Sequence, residues 1–119
     1  MLNKGTLNRG EIIGLKNLCR YIRNKQDMLQ YLMDVDTGSN IFVISVTYSN
    51  KLGLYYTIKK TSKKDKEQKG VATAEIKDKQ VVYTGSDFKI PNSVTKYVVE
   101  HYKALEEVMN LSERDFNAL

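Results

Sequence analysis

The stretch NIFVISVTYSNKLGLYYTIKKT, residues 40–61, decides the fold that we expect for this chain. β-branched and aromatic residues fill both halves, which is typical of strands. Between the halves, NKLG has the composition of a hairpin turn, because Asn50 and Gly53 tolerate a positive φ. Alternation places one set of side chains on a shared apolar face: Phe42, Ile44, Val46, Tyr48, Leu54, Tyr56 and Ile58. The stretch therefore predicts an antiparallel hairpin with one face directed at a core.

Two further strands are predicted after this hairpin. They are GVATAEIKD, residues 70–78, and KQVVYTGSD, residues 79–87, joined by a tight turn near Asp78 and Lys79. Connections this short force antiparallel pairing between consecutive strands. The sequence therefore predicts a four-stranded antiparallel β-meander whose second face leans polar.

A helical pattern precedes the strands, from about Asn8 to Met33. Apolar residues recur there at steps of three and four: Ile12, Leu15, Leu18, Cys19, Ile22, Leu29, Leu32 and Met33. The polar stretch RNKQD interrupts this stripe and leaves two alternatives. Either one long helix spans the segment, or two helices join near Lys25, with Asp27 as the N-cap of MLQYLM. DVDTGSN, residues 34–40, then ends the helical segment.

A second helical pattern follows Pro91, with Asn92 or Ser93 as the candidate N-cap. Its apolar stripe consists of Val94, Val98, Tyr102, Leu105 and Met109. SERD then opens a last short helix, with Ser112 as its cap and acids in its first turn. Amphipathic helices must bury their stripes, and the apolar sheet face is the natural partner. We expect an α+β, two-layer fold, with the N-terminal helical segment and the C-terminal helix packed on one face of the meander.

Length and composition fit one globular domain, residues 1–119, with residues 1–8 as a mobile arm. The single cysteine excludes an internal disulfide and suits a reducing compartment. The first residues lack the apolar core of a secretory signal. The longest apolar run is far short of the ~20 residues that a membrane span needs. We therefore expect a cytoplasmic protein without a membrane segment.

Few residues in the chain are suited to catalysis. His101 is the one histidine, and neither a second histidine nor a second cysteine exists to complete a metal site. Cys19 falls on the apolar side of the first helix, where a small core residue is expected. DVDTGSN has the acids of a calcium loop, but its glycine is misplaced and its closing glutamate is missing. No glycine-rich phosphate loop is present. We expect a protein that is not an enzyme and holds no metal or cofactor.

A row of basic side chains on the first helix is the leading candidate for a binding site. Arg9, Lys16, Arg20 and Arg23 are spaced seven, four and three residues apart, which places them on one helix face. That row contains no acid. Arginine forms bidentate contacts with carboxylates and phosphates, so the row can bind either an acidic protein surface or a nucleic-acid backbone.

We predict that Tyr55 and a lysine-rich loop belong to the same contact surface. Tyr55 falls on the opposite strand face from the core, and tyrosine serves both protein interfaces and base stacking. The loop KKTSKKDKEQK, residues 59–69, contains six lysines and two acids. Because acids interrupt it, its composition favours a flexible hairpin tip that adds salt-sensitive attraction. Its candidate contact residues are Lys59, Lys60, Lys63 and Lys64.

The formal net charge is +5, with basic groups concentrated in the first 25 residues and in the loop. In composition the chain is similar to small Lys/Asn/Ile-rich proteins of low-GC bacteria, their phages and mobile elements. The sequence predicts a non-enzymatic binding protein, an inhibitor or regulator that acts on a protein partner through its basic surface. The alternative is direct DNA or RNA binding by the same helix and the sheet tyrosines. A small-molecule-binding domain is a third interpretation, and the chain is expected to be a monomer or homodimer.

Overall fold

The computed structural model describes residues 9–119. Its helices and strands follow one another as α1 (Arg9–Arg23), β1 (Met28–Asp36), β2 (Asn40–Ser49), β3 (Gly53–Ser62), β4 (Gln68–Lys77), β5 (Gln80–Ser86), α2 (Asn92–Met109) and α3 (Glu113–Asn117). The strands form one antiparallel sheet in chain order, β1-β2-β3-β4-β5. The α+β class and the meander are thus confirmed, with one strand more than predicted. The predicted mobile arm, residues 1–8, lies outside the described residues.

The additional strand is β1, and the prediction of helix as far as Met33 is wrong. α1 ends at Arg23, and Lys25 then has a φ of 55°, which a continuing right-handed helix does not allow. From Met28 the backbone pairs with β2 instead of forming a second helix. DVDTGSN therefore spans a β1–β2 hairpin turn, in which Gly38 supplies a φ of 101°.

Asp27 is not the cap of a helix, contrary to the second alternative. Its Oδ1 accepts the backbone N–H of Asn50 at 2.7 Å, which ties the start of β1 to the β2–β3 turn. Further along β1, the register shifts between Tyr31 and Met33, so that Leu32 is an additional residue in the ladder. This bulge leaves Leu32 and Met33 both half-buried and interrupts strict alternation.

The lysine-rich loop is shorter than the predicted range of 59–69. β3 and β4 extend into it from both sides, so the turn itself comprises only residues 63–67. Lys59 and Lys60 are strand residues whose backbones pair with β4. A lysine side chain reaches solvent from a strand as readily as from a loop. The positive charges of Lys59 and Lys60 therefore do not prevent their backbones from pairing in the sheet.

The two C-terminal helices begin in different ways. Pro91 is the N-cap of α2 and provides no side-chain cap, so neither Asn92 nor Ser93 has the predicted role. The fixed φ of Pro91, −61°, sets the entry into the helix instead. Ser112 caps α3 as predicted, since its hydroxyl accepts the N–H of Asp115 at 3.2 Å.

Both long helices pack on one face of the sheet. The buried side chains of α1, α2 and the central strands form one core cluster: Leu15, Leu18, Cys19, Phe42, Ile44, Val46, Tyr56, Ile58, Ala72, Ala74, Val94, Val98, Leu105, Val108 and Phe116. The predicted alternation of β2 and β3 is thereby confirmed, and Cys19 is a core residue. In the described part of the chain, no helix covers the opposite face, where Leu29 is 71% and Tyr31 57% exposed.

The β4–β5 turn provides a test of the hairpin geometry. Asp78 and Lys79 have φ values of 51° and 62°, a left-handed conformation that costs an L-residue roughly 1 kcal/mol. We expect Lys79→Gly to raise the free energy of unfolding by ~0.5–1 kcal/mol in urea denaturation. Lys77→Gly removes the same charge inside β4 and should instead lower stability. A loss of stability in Lys79→Gly would contradict the assigned turn.

Candidate functional site

The basic residues of α1 lie on the helix side that faces away from the core. Arg9, Arg20 and Arg23 are exposed, and Lys16 is half-buried. The buried residues of the same helix, such as Leu15 and Leu18, pack toward the sheet. The predicted grouping of Arg9, Lys16, Arg20 and Arg23 on one face is therefore present. We call these four residues the cationic row.

Phe116 of α3 packs against the centre of the cationic row and is only 5% exposed. The Nζ of Lys16 lies 5.3 Å from the centroid of the Phe116 ring. The guanidinium carbons of Arg20 and Arg23 lie 5.6 and 4.7 Å from the same centroid. These distances are within the range of cation–π attraction, so the ring both buries apolar area and fixes the cations around it.

The remaining contacts of the cationic row are hydrogen bonds to oxygens of Leu119, Met109 and Asn17. Lys16 Nζ donates to the carbonyl of Leu119 at 3.3 Å, and Arg23 Nη2 donates to the carbonyl of Met109 at 3.4 Å. Arg20 Nη1 donates to Oδ1 of Asn17 at 3.2 Å. The bonds of Lys16 and Arg23 dock α3 and the end of α2 beside α1.

Within residues 9–119, side-chain ion pairs closer than 4 Å involve only lysines of the β3–β4 hairpin. Lys63 pairs with Asp36, and Lys69 pairs with Asp65 and Glu67. No described aspartate or glutamate pairs in this way with the cationic row. The row therefore retains its positive charge, whereas part of the lysine-rich hairpin is compensated by its own acids.

A shallow cavity of about 290 Å³ adjoins the cationic row. Arg9, Lys16 and Arg20 line it together with aliphatic side chains, among them Ile13, which is 50% exposed. The structure thus brings three of the predicted basic residues to one concave surface with an apolar floor. Such a surface is suited to a partner that offers carboxylates next to apolar groups.

The other predicted site residues lie elsewhere. Tyr55 alternates with the buried Tyr56, so it projects from the sheet face opposite to the helices. Lys59 shares that face, whereas Lys60 lies 5.7 Å from the Phe88 ring centroid. Lys63 and Lys64 are at the hairpin end, with Lys63 2.8 Å from Asp36. The predicted set does not form one continuous surface, and its role in binding a partner stays a prediction.

The sequence offered no signal for the pairing of Tyr56 with His101, which are 45 positions apart. The Tyr56 hydroxyl lies 2.7 Å from Nδ1 of His101. Burial lowers the pKa of His101 to about 4 and raises the pKa of Tyr56 well above its usual value. Both groups are therefore neutral at pH 7. Since a buried phenol needs an acceptor, we assign the donor role to Tyr56, which places the imidazole proton on Nε2.

Cys19 is the other chemically reactive side chain considered from the sequence. It is fully buried, and burial raises the pKa of its thiol despite the opposing charges of Arg23 and Arg20. A thiol with a raised pKa is a poor nucleophile. Among the described residues, no cluster of three histidine, cysteine or acidic side chains is placed to hold a metal ion.

Comparison with models of known protein families, with curated protein sequences and with solved structures finds no match to this chain. In the described residues, none of the helices combines the length and the apolar character required to cross a lipid bilayer.

A double-mutant cycle tests the packing of the cationic row on Phe116. We expect Phe116→Leu and Arg23→Met to show a coupling energy of ~0.5–1 kcal/mol in urea denaturation, because the two side chains attract each other. Combining Phe116→Leu with Lys103→Met, an exposed cation of α2, should give a coupling near zero. Equal coupling in both cycles would contradict the contact.

The buried His101 predicts a pH dependence of stability. Its folded-state pKa of about 4 lies below the ordinary 6.5, so the unfolded chain takes up the proton first as the pH falls. Stability should decrease between pH 6.5 and 4, by up to about 3 kcal/mol. Urea denaturation across this range measures the effect, and His101→Gln should remove it.

The lowered carboxyl pKa values of Asp36 and Asp65 affect stability in a different pH range. Each carboxyl gains from a lysine hydrogen bond and a backbone N–H, and each loses that gain mainly below its ordinary pKa of 3.8. The pH range in which His101 affects stability therefore lies above the range in which the two aspartates affect it. If the free energy of unfolding of His101→Gln still fell between pH 6.5 and 4 as steeply as that of the parent, His101 would not be the source of this pH dependence.

Proposed function

We propose that this protein is a non-enzymatic binding protein, an inhibitor or regulator that recognises an acidic surface of a protein partner. The observation that carries the proposal is the cationic row, whose four positive groups have no aspartate or glutamate partner within 4 Å among the described residues. Unpaired cations at a surface attract a partner of opposite charge and set its orientation.

The surroundings of the row support binding through a fixed constellation of groups. Lys16, Arg20 and Arg23 are held by the Phe116 ring and by hydrogen bonds. Long basic side chains lose up to about 2 kcal/mol of rotamer entropy when immobilised, and these have lost part of it before a partner arrives. The cavity beside Ile13 adds an apolar surface that carboxylate-rich protein segments can cover.

Direct binding of DNA or RNA is the alternative, and the geometry supports it less. It needs the basic helix and the sheet tyrosines on one surface, so that phosphates and bases are contacted together. Tyr55 instead projects from the far side of the sheet, and Asp34, Asp36 and Glu75 accompany it on that side. We therefore favour an acidic protein surface as the target of the cationic row.

Charge reversal of the row tests this proposal. In Arg9→Glu/Arg20→Glu, a purified partner captured from nuclease-treated extract of the encoding organism should bind at least tenfold more weakly at about 150 mM salt. The matched control is Lys63→Glu/Lys64→Glu, which has the same net charge and should change the affinity less than twofold. Both variants must retain the circular dichroism spectrum and thermal midpoint of the parent.

Fluorescence anisotropy with labelled duplex DNA, single-stranded DNA and RNA distinguishes direct nucleic-acid binding from binding of a protein partner. We expect binding at low salt that disappears near 150 mM, since only a few phosphates meet the row. Tight nucleic-acid binding that persists at that salt and is lost in Arg9→Glu/Arg20→Glu would replace our proposal with the alternative. A partner protein whose affinity is the same for both charge reversals would also refute a role for the row.

A further inference from the structure

A second concave site lies between α1, β1 and α2, and its chemistry is opposite to that of the cationic row. It is a pocket of about 380 Å³, within the range of small-ligand sites. The described residues that line it include Glu11, Gln30, Tyr31, Tyr97 and His101. None of its described lining residues is a lysine or an arginine, and Glu11 supplies a carboxylate.

Gln30 contributes a hydrogen-bond acceptor that lacks a donor. Its side-chain oxygen Oε1 is buried and has no hydrogen-bond partner in the described structure. The amide is held under α1, which approaches β1 so closely that a Cβ on Gly14 would lie 2.2 Å from Nε2 of Gln30. A buried carbonyl oxygen without a donor is destabilising, and such atoms mark positions where a ligand donor fits.

Glu11 is the charged side chain among the described residues that line the pocket. Burial and the negative charge of Glu11 raise the pKa of Tyr97 to about 12. The pKa of Tyr31 is also raised, mainly by its hydrogen bond with the Asp34 carboxylate. Both tyrosines are thus neutral phenols at pH 7, and the Glu11 carboxylate is the charged group among the described lining residues. A positively charged group is the occupant that this carboxylate favours.

Aromatic rings supply part of the pocket wall. The rings of Tyr97 and His101 are 6.3 Å apart between centroids and inclined by 32°. His101 adds no charge to repel a cation, because burial lowers its pKa to about 4. Aromatic faces next to carboxylates are a recurrent way of holding organic cations.

We propose that this pocket binds an organic cation with N–H donors, an alkylammonium or guanidinium group. Such a group donates to Gln30 Oε1, is attracted by Glu11 and contacts the rings of Tyr97 and His101. The shared chemistry is that of a free small amine or of a lysine or arginine side chain of another protein. The proposal is independent of the cationic row, which lies on the other side of α1.

An NMR titration of the ¹⁵N-labelled full chain tests the proposal with butylammonium chloride as the probe. We expect saturable millimolar binding, as is usual for a ligand of few atoms, with shifts at the Gln30 side-chain amide and the backbones of Gly10 and Leu32. Butanol and butyrate at equal ionic strength should give no such saturation. A parallel titration with a blocked lysine, N-acetyl-lysine methylamide, distinguishes a free small amine from a side chain of another protein as the ligand.

Substitutions at Gln30 and Glu11 assign the binding to this pocket. Gln30→Met keeps the shape of the side chain but removes its acceptor, so affinity should fall at least tenfold while the thermal midpoint of the free protein rises. Glu11→Gln should weaken the binding of butylammonium through loss of charge. Gln80→Met, the same change at an exposed position of β5, is the matched control and should alter neither property.

Binding of butylammonium alone would indicate a free small amine, and equal or tighter binding of the blocked lysine would indicate a protein side chain. Either result supports the site. Absence of saturable shifts up to about 50 mM, or equal binding of butanol, would overturn the proposal. So would a lowered thermal midpoint in Gln30→Met, because the Gln30 oxygen would then have a stabilising partner.

Discussion

Burial of the inner face of the β2–β3 hairpin is the constraint on which the rest of the structure depends. Ile44 lies opposite Ile58 and Val46 opposite Tyr56, and all four are fully buried. An apolar sheet surface of this kind requires cover, which α1 and α2 provide from one side. Tyr56 adds a second requirement, because its hydroxyl needs a partner inside the core, and His101 on α2 meets it. The rotation of α2 that satisfies Tyr56 also brings Tyr97 and His101 to the pocket beside β1.

Sequence periodicity predicted β2 to β5, α2 and α3 because each shows a single uninterrupted pattern. It missed β1 because the bulge at Leu32 places two consecutive apolar residues on half-buried positions, and Gln30 puts a polar group on the inner face. Together these features make MLQYLM resemble a helical stripe. The spacing of the cationic row was also readable in the sequence. Its packing on Phe116 was not, because contacts across about a hundred residues arise from tertiary packing and leave no local pattern.

Two sites of opposite charge share α1 without neutralising each other. Arg9 and Glu11 are two positions apart, which separates them by about 200° around a helix. Glu11 therefore lies at the pocket with β1 and α2, whereas Arg9 lies with Lys16 and Arg20 on the side of Leu119. The sheet anchors α1 through Leu15 and Leu18, which lie on the same side of the helix as Glu11. One rigid helix thus presents a carboxylate at one surface and a row of cations at another, in a fixed mutual orientation.

The docking of Phe116 on α1 has a consequence for how the chain acquires its final form during synthesis. α1 leaves the ribosome well before the ring and the oxygens that hold Lys16 and Arg23, which belong to Met109, Phe116 and Leu119. Closing such distant contacts carries an entropic cost that local contacts avoid. Until residue 119 has emerged, α1 lacks those contacts, and its basic side chains keep their rotational freedom. The ordered arrangement of positive charge therefore forms only once residues 109–119 have been synthesised, and it cannot form on a nascent fragment that lacks them.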